Sequence, residues 1–164
     1  LSLTLVRIET GEAVVLVPDA AGVGEIPPGF ADAGYARSVA SSFVNNWMVW
    51  NEHNYAYRRG QALNLLARQA RPAFLAQIQD TAWVVRSLSQ SQSLVLEDLK
   101  VRFHNGLWEA MAYGTKRTFY GGVGGDEEPA CLLIQMAPRS PTVDLPTALV
   151  IVGVHPIDPE PSTS

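Results

Sequence analysis

Cysteine is all but missing from this sequence: one thiol, Cys131, in 164 residues. A single cysteine closes no intrachain disulfide, and with no CxxC or HExxH spacing present no structural zinc site is expected. Charge is sparse as well, at 17% of residues, with a small acidic excess of net −4 and a pI near 5.3. The basic stripe that non-specific nucleic-acid binding requires is therefore lacking, and no direct nucleic-acid contact is expected. The densest cationic cluster, Arg58-Arg59 with Arg68 and Arg71 further on, reads by its spacing as the solvated side of a helix. No apolar run reaches the roughly 18–20 residues of a membrane span, and no signal peptide is recognisable. The chain opens at Leu1 without a methionine, in an apolar stretch, and the expectation is a cut made in a longer protein.

What is present is a globular composition. Hydrophobic residues make up 47% of the chain, and 164 residues suit one domain with a real core. Two β-like runs, Leu5-Val6-Arg7-Ile8 and Ala13-Val14-Val15-Leu16-Val17, flank Thr10-Gly11. Residues 19–29 are rich in Ala, Gly and Pro and read as an extended lead-in, with Pro27-Pro28-Gly29 opposing helix. Asp32 is the expected N-cap of a first helix. Tyr35, Val39, Phe43, Trp47 and Trp50 recur at spacings of four, four, four and three, which makes one apolar stripe wide enough to cover a sheet. Such an aromatic stripe reads as core, not as a ligand box.

Asn51-Glu52-His53-Asn54 interrupts the period. A second helix is expected over about residues 55–69 with Leu63, Leu66 and Ala67 inward. Pro72 suits the first turn of a third helix, where its missing N–H has no intrahelical partner to lose. Phe74, Ile78, Ala82 and Val85 line that helix, which should fade over residues 87–93.

The second half changes to a period of two. Asn105-Gly106 is a type I′ hairpin signal. Placed at the turn, it pairs Phe103 with Trp108, Arg102 with Glu109, Val101 with Ala110 and Leu99 with Ala112. One face is then wholly apolar, while opposite charges meet on the other, an outcome that a slipped register does not give. Beyond this hairpin, residues 121–129 read as a mobile glycine-rich and acidic loop. Two further strands follow, at about residues 130–137 and 147–154, joined by a proline-rich turn over residues 138–146. The tail from Pro156 should be loose.

Little of this carries chemistry. The glycine-rich loop is followed by acids, Pro129 and a strand, without the helix N-terminus and lysine of a phosphate cradle. No GxSxG elbow is present. His53, His104 and His155 fall at a helix break, a hairpin edge and a strand end, where surface or capping roles are the simpler reading. Cys131 lies in an apolar run and reads as a buried, inert thiol. A carboxylate in an apolar pocket is the subtler option, with Asp80, Asp98 and Tyr113 as the candidates. The hairpin register puts Asp98 opposite Tyr113 on its polar face, which argues against a buried catalytic pair.

The order of elements resembles the periplasmic domain of TraE-like proteins, assembly components of conjugative type IV secretion systems with a nuclear-transport-factor-2-like (cystatin-like) fold. Four stretches carry the likeness: residues 13–17 and their proline-containing lead-in, the first helix from Tyr35-Ala36-Arg37 to Trp50-Asn51, the junction Arg71-Pro72-Ala73-Phe74-Leu75 after Leu63 and Leu66, and the hairpin over residues 99–113. The loops over residues 121–129 and 138–146 depart from the shorter turns of that pattern. The resemblance implies an α+β fold, N-terminal helices packed on a curved antiparallel sheet in a cone. It implies residues 1–29 as a lead-in after a removed membrane helix, 30–155 as one domain, and 156–164 as a tail. It further implies a non-catalytic periplasmic scaffold domain of a single-span inner-membrane protein, without cofactor or metal, that forms homo-oligomers and binds other secretion-system proteins. Tyr55, Tyr57 and Arg58, which mix aromatic and cationic groups at the junction of the first two helices, are the candidate interface residues. The alternative is a small-molecule-binding protein or enzyme on the same cone-shaped fold.

Overall fold

A computed structural model of the chain describes residues 3–7, 14–18, 30–138 and 149–158. The lead-in over residues 19–29, most of the proline-rich connection and the end of the tail lie outside the described residues. β1 (Leu3–Arg7) and β2 (Val14–Pro18) pair antiparallel with Leu5 opposite Leu16. α1 (Phe30–Met48) begins two residues ahead of Asp32. Asp32 therefore stands inside the first turn and is not the N-cap. Acids are favoured throughout the first turn of helices as well as at the cap, so residue type marks a helix start without fixing its boundary.

Along α1, Val39, Phe43 and Trp47 are buried as their spacing requires, and Tyr35 is half-buried. Trp50 is buried just past the helix end, where its backbone exchanges two hydrogen bonds with Gln92, 3.1 and 2.8 Å long. α2 (Tyr55–Leu63) is shorter than the period suggested. Leu66 and Ala67 are inward, but by another route: residues 65–67 leave the helix and pair with β6. The Ala67 N–H donates to the Ile151 carbonyl, and the Ile151 N–H to the Leu65 carbonyl, both at 2.8 Å. A strand edge that lacks a neighbour satisfies its backbone with this segment, and tertiary pairing overrides the helical period. A short 3₁₀ turn (Arg68–Ala70) leads into α3 (Arg71–Ser87), with Pro72 in its first turn and Ile78 and Val85 buried.

The four remaining strands form one antiparallel sheet in sequence order: β3 (Gln90–His104), β4 (Leu107–Tyr120), β5 (Val123–Pro138) and β6 (Leu149–Pro156). The hairpin register is as the sequence dictates, with Phe103 opposite Trp108 and Arg102 opposite Glu109. The two rings sit 5.2 Å apart on the side that faces the helices. On the other face Arg102 donates to Glu109 Oε2 through Nε at 2.9 Å and Nη2 at 2.8 Å. Register shifts at Leu96/Asp98, Arg117/Phe119 and Gln135/Met136 break the ladders of successive strand pairs, the device by which sheets bend and twist.

Two sequence expectations give way here. Residues 121–129 are not a loop: Gly121 and Gly122, with φ of +58° and +83°, make a two-residue turn, and β5 starts at Val123. Poor β formers are held extended by the neighbouring strand, where Glu127 lies opposite Arg117 and Glu128 sits 3.3 Å from Lys116. Nor does α3 fade through residues 87–93. Ser89 turns the chain at a φ of +46°, and β3 begins at Gln90. The core between helices and sheet is filled by side chains such as Phe43, Leu66, Ile134, Met136 and Ile151, each fully buried.

Candidate interaction surface

The junction between α1 and α2 is built by asparagines. Asn51 Oδ1 accepts from the N–H groups of His53 (2.9 Å) and Asn54 (3.0 Å), while Asn54 Oδ1 accepts from the Asn51 N–H at 2.7 Å. This reciprocal pair satisfies backbone donors of the turn that leads into α2. It turns the chain so that α2 runs back beside α1 and presents one flank inward.

Tyr55, Arg59, Ala62 and Leu63 form that flank, and all are buried. Tyr55 stands edge-on to Trp50 at 4.8 Å and is 2% exposed, so it belongs to the core and not to a surface. Arg59 lies over the Trp47 ring at 3.7 Å, with the Tyr55 ring at 5.1 Å. Among the described residues no carboxylate pairs with it. Burial lowers its basicity to about 10, opposed only by the favourable charge interaction with Tyr55. The Arg58-Arg59 cluster is therefore not a solvated face. Helix phase was the available signal, since Arg59 stands four residues after Tyr55 and four before Leu63.

Arg58 is half-buried and spans the end of α1. Its Nε donates to the Val49 carbonyl and its Nη2 to the Asn45 carbonyl, both at 3.1 Å. A cation over the last carbonyls of a helix complements its dipole. Tyr57, next to it, is 68% exposed. Between Arg58 and Arg37 the polar face of α1 forms a shallow groove of about 560 Å³, floored by Ser38, Ser42 and Asn45. Of the three candidate interface residues, Tyr57 and Arg58 lie at the surface and Tyr55 is buried.

The candidates for chemistry do not converge. Asp80, Asp98 and His104 are exposed, and Tyr113 is 38% exposed. Asp98 and Tyr113 are opposite each other as the register required, with Lys100 Nζ 3.6 Å from the carboxylate and 6.0 Å from the phenol ring. His53 and His155 are exposed too, near Glu52 and Gln135 respectively. Cys131 is buried, its Sγ 3.5 Å from Met111 Sδ, and burial raises its pKa. Among the described residues, no group of three or more His, Cys, Asp or Glu is arranged to hold a metal, and no helix is long and apolar enough to cross a membrane.

No family model matches the sequence, and no curated protein is similar to it. Solved structures are. A TrwG component of a type IV secretion system from Bartonella birtlesii superposes with a TM-score of 0.64 at 13% identity, covering 78% of this chain and 92% of that one. The periplasmic domain of DotI gives 0.59 at 13% identity, covering 82% and 98%. A TraE protein gives 0.61 at 7% identity, covering 83% and 100%. The chain has the α+β fold of these type IV secretion domains, and the resemblance to TraE-like proteins holds at the level of the fold.

Proposed function

We propose that this domain is a non-catalytic scaffold of a type IV secretion system of the conjugative kind, acting in the periplasm as part of a single-span inner-membrane protein. It self-associates and binds other components of the channel during assembly. The observation that carries this reading is the end-to-end match: each of the neighbours above is covered over 92–100% of its length, so the shared unit is the whole domain. The interior supports it, because the helix–sheet interface is packed with the chain's own side chains. Binding energy then has to come from the outer surface, and Tyr57 with the Arg58 side of α1 offers an exposed aromatic beside a fixed cation.

The test is sedimentation of the purified chain together with pairwise capture of the other components encoded with it. Tyr57→Ala should weaken association without lowering the melting temperature, since the ring is exposed. Asp80→Asn and Asp98→Asn should leave association unchanged. A chain that stays monomeric at all concentrations and captures none of its neighbours would sink the proposal.

A further inference from the structure

The groove on the polar face of α1, about 560 Å³, has Arg37 toward one end, Arg58 toward the other, and serines and asparagines between them. Its lining holds two cations and no acid. Arg37 is the only charged residue from Ala33 to Met48. Each guanidinium is anchored to carbonyls and keeps donors to spare: Arg37 Nη1 donates to the Leu99 carbonyl, and Arg58 Nε and Nη2 to those of Val49 and Asn45. Carbonyls hold these groups in place without neutralising them, and among the described residues neither forms an ion pair. The acids nearby are otherwise engaged. Asp98, next in β3 to Leu99, has Lys100 Nζ at 3.6 Å, and Glu52, past the end of α1, lines a different groove. In a chain of net charge −4 this face therefore carries a local surplus of two positive charges.

The segment directly ahead of α1 has the opposite character. Residues 19–29, outside the described part, read Asp19-Ala20-Ala21-Gly22-Val23-Gly24-Glu25-Ile26-Pro27-Pro28-Gly29: two acids, no cation, and mostly small residues between the acids. Its length fits as well. From Phe30, Arg37 lies about 10 Å along the helix and Asn45, which holds Arg58, about 22 Å. Glu25 is five residues before Phe30 and Asp19 eleven, reaches of at most about 17 and 37 Å for an extended chain. Both acids can thus arrive at the matching cation with length left over for a reversal, and Pro27-Pro28-Gly29 are turn residues at the place where the reversal has to be made.

From this complementarity we propose that the lead-in of the same chain folds back and docks along the polar face of α1. Glu25 pairs with Arg37, Asp19 pairs with Arg58, and Ala20, Ala21, Gly22 and Gly24 let the backbone approach the serines. The docking does not depend on the secretion reading, since it rests on the charge and length of this chain. Where that reading holds, the lead-in becomes part of the surface that carries Tyr57 and Arg58.

The experiment is NMR of the full chain with a spin label on Val23→Cys and with Cys131→Ala, so that one thiol is labelled. The amides of Ser38, Ser42 and Asn45 should broaden in a labelled ¹⁵N chain, and should not broaden when an unlabelled ¹⁵N chain is mixed with a spin-labelled ¹⁴N chain. Asp19→Asn with Glu25→Gln, which leaves the packed domain untouched, should lower the docked-to-free ratio about fivefold, the effect of two exposed ion pairs. Raising the salt concentration should act in the same direction. Arg37→Glu should also release the lead-in, and Glu25→Arg added to it should restore the broadening, which separates loss of the pair from damage to α1. Broadening absent from these amides, broadening equally strong in the mixed sample, indifference to neutralising the two acids, or no recovery in the reversed pair each overturns the proposal.

Discussion

Arg59 and Trp47 pose the sharpest energetic question at the scale of single residues. Lowering the guanidinium's pKa to about 10 by burial corresponds to a penalty of about 3 kcal/mol on the charged form. Stacking on the indole at 3.7 Å returns about 2 kcal/mol in a desolvated setting. The balance is slightly unfavourable to the cation. The sign follows from a base whose folded pKa is depressed: the penalty is fully present at neutral pH and is relieved only as the pH rises through about 10. Arg59→Met, which keeps the volume and removes the charge, should therefore raise unfolding free energy by about 1 kcal/mol in denaturant titration. A clear loss of stability would mean that the stack outweighs desolvation. Cys131 gives a simpler case. Only 5% exposed, and with its thiol held neutral by burial, it should react with a thiol reagent only as the chain unfolds. Rapid labelling of the native chain would contradict its burial.

Among the elements, those with local chemistry of their own were legible in the sequence. Asn105-Gly106 and the cross-strand pairs fix the β3–β4 register, Pro72 places the start of α3, and the apolar stripe buries Val39, Phe43 and Trp47. Elements imposed by neighbours were not. Gly124-Gly125-Asp126 is poor in strand formers and is extended because β4 pairs with the residues on either side; residues 65–67 leave the helical pattern to satisfy β6. Around α2 the sequence pattern placed the helix but not its phase: Tyr57 and Arg58 reach a surface, whereas Tyr55 and Arg59 follow the inward flank. Two substitutions test the elements. Phe43→Ala, at a fully buried position, should cost about 3–5 kcal/mol, and a variant melting within a degree or two of the parent would place α1 outside the core. At Gly114 a Cβ would come within 2.5 Å of the Val95 carbonyl oxygen, so close an approach that Gly114→Ala should cost about 1–3 kcal/mol through backbone displacement. Unchanged stability there would show that β3 and β4 are not so tightly apposed.

The whole molecule divides along the length of its sheet. Toward the hairpin turn of β3 and β4, the strands carry the helices: Leu99, Ala110, Ala112 and Ile134 are buried in the common core, and residues 65–67 close the edge of β6. Beyond the register shift at Leu96/Asp98, β3 and β4 continue with β5 as a three-stranded extension, because the pairing of β6 reaches no further along β5 than Leu132. There Val95, Tyr120 and Val123 are exposed, and the first half of β5 has β4 as its only strand partner among the described residues. Protection from hydrogen exchange should follow this division. Amides of Ala110, Ala112 and Ile134 lie in the helix-covered half and should exchange only through global unfolding, with the largest opening free energy in the chain. Amides of Gly125, Asp126 and Glu127 require only the edge of the extension to open, and should exchange with far smaller free energies that do not track stability. Gly114→Ala acts at the boundary, so it should lower global protection without first releasing the extension. Native-state exchange measured across denaturant concentrations separates the two halves. Should residues 123–129 merge with the core into one opening isotherm, the extension would be part of a single cooperative unit, and its exposed apolar side chains would need covering by a partner to explain that rigidity.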